Sequence, residues 1–139
     1  MPPPVNFTKD HVLQAAVLVA EDCGMGAVSA RNVASRLKSS TAPVYSHFDS
    51  IDSLRRQVLV EALRLLTSLI SAPHTDRVFL SMGIGIALFA REHPELYRAL
   101  FLERHKHSDI LVQFNERMER RLAEDPRFNA LSVARRKDM

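Results

Sequence analysis

The sequence predicts an all-α fold, with a three-helix helix-turn-helix unit at the N-terminus and a helical bundle behind it. Along most of the chain, apolar residues recur at the three- and four-residue spacing of amphipathic helices. Only 4 glycines and 7 prolines occur among the 139 residues, and three of the prolines crowd at positions 2–4. The turn residues that a β-rich fold needs are therefore scarce.

Four helices are predicted in the first half of the chain, over residues 8–23, 29–37, 41–48 and 50–72. Each begins at or directly after a residue that can cap a helix, and Pro73 stops the fourth. The fourth is long because its apolar stripe keeps a 3.6-residue period throughout. The candidate N-caps are Thr8, Ser29, Ser40 and Ser50.

Three more helices are predicted in the second half. One is centred on residues 78–89, one is opened by Pro94, and one is capped by Ser108 and ended by Pro126, after which a basic tail follows. We therefore divide the chain into a helix-turn-helix domain, residues 1–54, and a helical region for effector binding or dimerisation, residues 55–139.

A single cysteine, Cys23, can form no internal disulfide, which suits a reducing cytoplasm, and we expect it to be a buried structural thiol. The N-terminus has no basic stretch followed by an apolar core, and no apolar run approaches the roughly 20 residues that a membrane helix needs. We expect a cytoplasmic protein without a membrane segment.

The net charge of +3 and the pI near 9.4 only weakly indicate a nucleic-acid partner, because the excess lies far from the N-terminal unit. Residues 1–54 hold four basic against five acidic side chains. The positive excess lies mainly at Arg120, Arg121, Arg127, Arg135, Arg136 and Lys137.

Residues 31–48 have the pattern of a helix-turn-helix, in which two short helices joined by a tight turn are braced by a third. In the segment T-A-P-V-Y-S-H-F, Val44 and Phe48 are four residues apart and can pack inward. Small residues at the start of this segment would let its backbone approach DNA. The side chains left outside are Thr41, Ala42, Tyr45 and Ser46.

The motif resembles the N-terminal domain of the tetracycline-repressor (TetR) family. The segment A-S-R-L-K-S-S-T-A-P-V-Y-S-H-F, residues 34–48, followed by D-S-I-D-S-L, residues 49–54, has the family's spacing without gaps. The similarity covers Phe7 to Gln57. The rest resembles the family's variable effector domain in helical character and in A-R-E-H-P-E-L-Y-R-A-L-F, residues 90–101.

The resemblance implies a recognition helix that enters the major groove of double-stranded operator DNA. The implied base-facing residues are Thr41, Ala42 and Pro43, and the implied phosphate contacts are Tyr45 and His47. Arg31 is implied to reach DNA from the second helix, and Ser46 takes a position that usually holds a larger side chain. Thr41 is the best candidate for reading a base, and Tyr45 for fixing register. The structural alternative is that Tyr45 packs on the first helix and His47 caps the short one.

Two positions depart from the family pattern. The turn position that is commonly glycine is Lys38, which would have to adopt a positive φ. The lysine that often meets a phosphate at the start of the fourth helix is replaced by Ile51, and Arg55 or Arg56 are candidates to compensate.

An apolar set in the second region is a candidate effector pocket, since such pockets form between bundled helices and carry few polar groups. Ordinary core packing is the alternative for each member. Gly83 and Gly85 favour the pocket, because missing side chains would open space within the fifth helix. The candidate residues are Phe79, Met82, Phe89, Tyr97, Phe101, Phe114 and Met118.

No metal, cofactor or enzymatic activity is predicted. His105 and His107 are two residues apart and diverge on a helix, and neither they nor His93 have a carboxylate pair to complete a ligand set. No Ser/His/Asp, Cys/His or phosphate-loop spacing occurs.

The sequence therefore predicts a sequence-specific DNA-binding transcription regulator, acting as a ligand-responsive repressor on an unknown apolar or amphipathic effector and binding its operator as a homodimer. The alternative is a helical protein-interaction module that keeps the fold without operator binding. Family members usually continue into two further helices that form the dimer interface, so either the chain is truncated at Met139 or its dimer is built differently.

Overall fold

The computed structural model describes residues 6–128, which form seven α-helices and one 3-10 turn and contain no strand. The predicted all-α fold is confirmed. The basic tail residues Arg135, Arg136 and Lys137 lie outside the described part of the chain. The helices are α1 (Lys9–Cys23), α2 (Ala30–Leu37), α3 (Ala42–His47), α4 (Ile51–Ser71), α5 (Val78–Glu92), α6 (Pro94–Phe101) and α7 (Ser108–Ala123), with the 3-10 turn Met25–Ala27 between α1 and α2.

Helix α1 begins where the sequence predicts, because Thr8 is its N-cap. The Thr8 hydroxyl accepts from the His11 backbone N–H at 3.1 Å, and the His11 ring accepts from the Thr8 backbone N–H at 3.2 Å. The helix ends at Gly24, whose φ of 89° is open to glycine and strained for other residues. Cys23, the last residue of α1, is exposed, so the prediction of a buried thiol is wrong: the turn that follows does not cover it.

Two predicted caps differ in detail. Thr41, rather than Ser40, is the N-cap of α3, and its side chain makes no capping bond. The Ser40 hydroxyl instead accepts from the Ala42 backbone N–H at 3.4 Å. Ser108 is the first residue of α7, and His107 occupies the cap position.

Helix α4 is the central element, because it packs against α1, α5, α6 and α7. Its inward face is fully apolar and belongs to one continuous core that reaches from α1 to α7. The predicted boundary between residues 54 and 55 falls within α4, and the division into two functional regions stays a prediction. The buried residues of α4 are Leu54, Val58, Leu59, Ala62, Leu63, Leu66 and Ile70.

The crossing of α4 and α5 is very close at Gly85. A Cβ atom on Gly85 would lie 2.5 Å from the Leu69 carbonyl oxygen and 2.6 Å from the Ile70 Cα. The missing side chain therefore admits the α4 backbone rather than opening a cavity, which corrects the expectation for Gly85. Gly83 faces outward, with nothing within 4 Å of its Cβ position.

None of the helices between residues 6 and 128 combines the length and apolar character needed to cross a membrane.

The cap of α4 provides a test of the local fold. The Ser50 hydroxyl accepts from the Ser53 backbone N–H at 3.0 Å, and the Ser53 hydroxyl accepts from the Ser50 backbone N–H at 3.2 Å. Ser50→Ala should lower the free energy of unfolding by about 1 kcal/mol, because it leaves the Ser53 backbone N–H in the first turn of α4 without its side-chain acceptor. Urea unfolding would measure this, with Ser68→Ala, an exposed position within the same helix, as the control that should change little.

Candidate nucleic-acid interface

Helix α3 presents the faces that the sequence predicts. Val44 and Phe48 are buried, at 1% and 5% exposure, and hold α3 on the core. Tyr45 is 59% exposed, so the alternative in which it packs on α1 is wrong. Thr41, Ala42 and Ser46 are exposed and Pro43 is half-buried. The outer face of α3 thus carries small side chains at its start and an aromatic side chain in its middle.

The turn between α2 and α3 is closed by Lys38 in the left-handed conformation, with φ 54° and ψ 43°, as predicted. Its N–H donates to the Ser35 carbonyl at 3.1 Å, and the Ser39 N–H donates to the Ala34 carbonyl at 3.0 Å. These bonds satisfy the last carbonyls of α2 and direct the chain into α3.

His47 has a structural contact that the sequence did not reveal. Its Nε2–H donates to the Phe7 carbonyl at 2.6 Å, which ties the segment before α1 to α3. With Nε2 carrying the proton, Nδ1 is an acceptor in the neutral ring. His47 would therefore donate to a phosphate only through a protonated Nδ1, and its contribution as a phosphate contact stays a prediction.

Arg31 lies in the first turn of α2 and is exposed, with no ion-pair partner among residues 6–128. The turn below it is fixed by the Ser29 cap and by the Asn32 side chain, whose Nδ2 donates to the Ala27 carbonyl at 2.8 Å. A free guanidinium on a rigid turn is suited to a phosphate.

The two arginines near the start of α4 both make contacts within the protein. Ile51 is half-buried against the core. Arg55 Nε donates to the Val28 carbonyl at 3.1 Å, and Arg56 is paired with Asp109. Both arginines expected to compensate for Ile51 are therefore engaged within the protein.

Three side-chain contacts join the helix-turn-helix unit and the second turn of α4 to the rest of the chain. Arg56 donates two hydrogen bonds to the Asp109 carboxylate, at 3.0 and 2.6 Å, and these raise the pKa of Arg56 and lower the pKa of Asp109. His107 Nε2 lies 3.4 Å from Asp52. On the other side of the unit, His93 Nδ1 lies 2.5 Å from Glu21 of α1. Two of the histidines considered as metal ligands thus bridge helices.

The predicted effector residues are dispersed. Met82, Phe89 and Phe114 are buried in the core, Tyr97 and Met118 are half-buried, and Phe79 and Phe101 are exposed. The Tyr97 and Phe101 rings pack together, with centroids 5.1 Å apart. Phe114 lines a groove between α4 and α7, whereas Phe79 lines a different hollow beside Phe128. The effector assignment of these residues stays a prediction.

Lys38 offers a test of the turn that presents α3. Lys38→Gly should raise the free energy of unfolding by about 0.5–1 kcal/mol, because glycine adopts a positive φ without the Cβ penalty. Lys38→Ala keeps the Cβ and removes the charge, so a difference between the two variants in urea unfolding isolates the backbone term. Equal stability of the two variants would contradict this assignment of strain.

The chain matches no protein-family model. It is 25% identical over 116 residues to the uncharacterized HTH-type transcriptional regulator YobS of Bacillus subtilis (strain 168), in an alignment that covers 80% of this chain and 61% of that protein. The chain thus spans less than two thirds of the length of this relative. The similarity is distant and is to a helix-turn-helix transcriptional regulator, a class of non-enzymatic proteins, which agrees with the helices that the N-terminal residues form.

Proposed function

We propose that this protein is a sequence-specific DNA-binding transcription regulator of the TetR type that reads duplex DNA through α3. The observation that carries the proposal is the outer face of α3, where Tyr45 is exposed without a packing role beside the small residues Thr41 and Ala42. An exposed face on α3 and an exposed, unpaired Arg31 on α2 would allow one helix to read bases and the other to bind phosphate. The distant similarity to a helix-turn-helix regulator supports the same function.

Selection from a randomised duplex DNA library with purified protein tests this function. The expected result is enrichment of a near-palindromic motif, with half-sites about one helical turn apart. Thr41→Ala should relax discrimination at one position of each half-site, by about 1–3 kcal/mol if the threonine contacts a base edge. Recovery of unenriched library sequence would contradict the proposal.

We further propose that regulation is repression released by a small apolar or amphipathic effector, and that the protein acts as a homodimer. Support for the dimer comes from apolar side chains on the surface of α6, α7 and the residues after Pro126. The sequence offers Phe101, Leu111, Phe114 and Phe128 for this contact. Phe101 and Phe128 are exposed, as is the neighbouring Val112, whereas Leu111 is half-buried and Phe114 is buried. Most of the segment after Pro126 lies outside the described residues. Sedimentation velocity at micromolar concentration would give a monomer if this proposal is wrong.

A helical interaction module without operator binding is the second candidate. It is favoured by the start of α4, where Ile51 replaces a cation and both neighbouring arginines are engaged internally. This candidate predicts weak DNA binding without sequence preference, so the library selection separates the two functions.

A further inference from the structure

The loop between α6 and α7, residues 102–107, is anchored by its two histidines. His105 accepts from the His107 backbone N–H through Nδ1, at 3.2 Å, so its Nε2–H donates to the Leu100 carbonyl, at 3.4 Å. The His107 Nε2 lies 3.4 Å from Asp52. These contacts hold the loop between the end of α6 and the first turn of α4.

The residues that alternate with these histidines are cations that face solvent. Arg104 and Lys106 are exposed, whereas His105 and His107 are half-buried. Neither cation makes an ion pair with any residue between 6 and 128. The loop contains one carboxylate, that of Glu103, so its two cations exceed its acidic charge by one. The anchored loop therefore offers two positive charges that the described part of the chain does not pair.

The two cations lie beside the elements that carry the proposed DNA-binding face. Arg104 and Lys106 line a polar hollow together with residues of the 3-10 turn before α2 and with Asp52 on the first turn of α4, whose carboxylate contacts His107. The 3-10 turn leads into the first turn of α2, which carries Arg31, and three residues separate α3 from α4. The hollow is thus next to the start of α4 and to the residues before α2.

The helix-turn-helix unit itself has few cations available for phosphate. Residues 1–54 hold four basic against five acidic side chains, and Arg36 makes an ion pair within the unit. Just beyond it, Arg55 and Arg56 are engaged by other parts of the protein. Because the affinity of a protein for duplex DNA rises with the number of phosphates that its cations neutralise, cations outside the unit would add to binding.

We infer that Arg104 and Lys106 bind backbone phosphates of the duplex that α3 reads, so that the loop between α6 and α7 is a second DNA-contacting segment. This inference rests on the proposed function. The loop takes over the phosphate contact that Ile51 cannot make, because it lies against the neighbouring residue Asp52. Contacts to phosphate carry no sequence information directly, so the loop adds affinity without adding sequence preference.

Anisotropy of the duplex enriched by the library selection, measured at several salt concentrations, tests the inference. Arg104→Gln combined with Lys106→Gln should weaken binding by about 10- to 100-fold at about 0.1 M salt, because two charge-assisted contacts are lost. The magnitude of the slope of log affinity against log salt should fall by about two. The preference over a shuffled duplex should stay the same. The free energy of unfolding should also stay the same, because both side chains are exposed.

Three control variants separate the position of the charges from the net charge. Arg104→Lys with Lys106→Arg keeps both cations and should keep the slope. Arg117→Gln with Arg120→Gln removes two exposed arginines of α7 that do not line the hollow, and should also keep the slope. Glu103→Gln should strengthen duplex binding about twofold, because it removes a carboxylate beside the two cations.

The outcomes distinguish this inference from the proposed function. If Arg31→Gln with Tyr45→Phe weakens duplex binding but Arg104→Gln with Lys106→Gln leaves its affinity and slope unchanged, the loop does not contact DNA and the proposed function stands. Equal losses in the loop variant and in the α7 variant would likewise overturn the inference, since only net charge would matter. Failure of the unaltered protein to bind any duplex would refute the proposed function and this inference with it.

Discussion

Gly85→Ala is expected to lower the free energy of unfolding by about 2 kcal/mol or more, because the added Cβ overlaps the backbone of α4. The Leu69 carbonyl oxygen and the Ile70 backbone would lie 2.5–2.6 Å from it, and backbone atoms cannot rotate away as a side chain can. Helices α4 and α5 would have to separate along a contact that closes the core near Ile70. Chemical or thermal unfolding measures the loss.

Gly83→Ala is the matched control, two residues away on the same helix. Nothing lies within 4 Å of its Cβ position, so the substitution should raise the free energy of unfolding by up to about 1 kcal/mol through helix propensity alone. A decrease in the free energy of unfolding for Gly85→Ala together with an increase for Gly83→Ala would identify the close crossing of α4 and α5. Two stabilising substitutions would mean that α4 and α5 are farther apart than described.

Arg31→Gln combined with Tyr45→Phe should weaken duplex binding by about 100-fold at about 0.1 M salt, because one charge-assisted and one neutral contact to phosphate are lost. The magnitude of the slope of log affinity against log salt should fall by about one, since one cation no longer displaces a counterion. Stability should be unchanged, because both side chains are exposed. Fluorescence anisotropy at several salt concentrations gives both quantities.

The corresponding control is Arg98→Gln with Tyr97→Phe, an arginine and a tyrosine on α6, outside the helix-turn-helix unit. This pair should leave duplex affinity and its salt dependence unaltered. Parallel losses in both double variants would show that binding is non-specific attraction to a basic protein. We exclude His47 from the test because its substitution would also remove the bond to the Phe7 carbonyl.

The fold follows from local signals that the sequence carries. Thr8 and Ser50 cap their helices as predicted, Val44 and Phe48 point inward, and Lys38 adopts the left-handed conformation. These features depend on residues three or four positions apart, so helical periodicity and capping chemistry are sufficient to predict them.

Features that depend on packing between distant segments were not predictable. The bonds of His47 to Phe7, His93 to Glu21 and Arg56 to Asp109 join residues 40 to 72 positions apart. No periodicity encodes such pairs, which form only when helices pack. The same holds for Gly85, because a glycine in a helix indicates either open space or close approach, and only the position of α4 decides between them.

The candidate site was partly predictable for the same reason. The exposed face of α3 follows from its own four-residue spacing, whereas the engagement of Arg55 and Arg56 depends on Val28 and Asp109, which lie in other segments. A role for these two arginines in DNA binding, which the sequence alone leaves open, is therefore restrained by their bonds to the segment before α2 and to α7.

The most direct test of DNA reading by α3 is the affinity of the protein for the selected duplex and for a shuffled duplex of the same composition, measured by anisotropy at one salt concentration. We expect a preference for the selected duplex of about 10³-fold, the low end for specific regulators, and we expect the double variant Thr41→Ala with Tyr45→Phe to lose it. If the protein bound the two duplexes with equal affinity, and the double variant bound the selected duplex as tightly as the unaltered protein does, α3 would not read the DNA sequence.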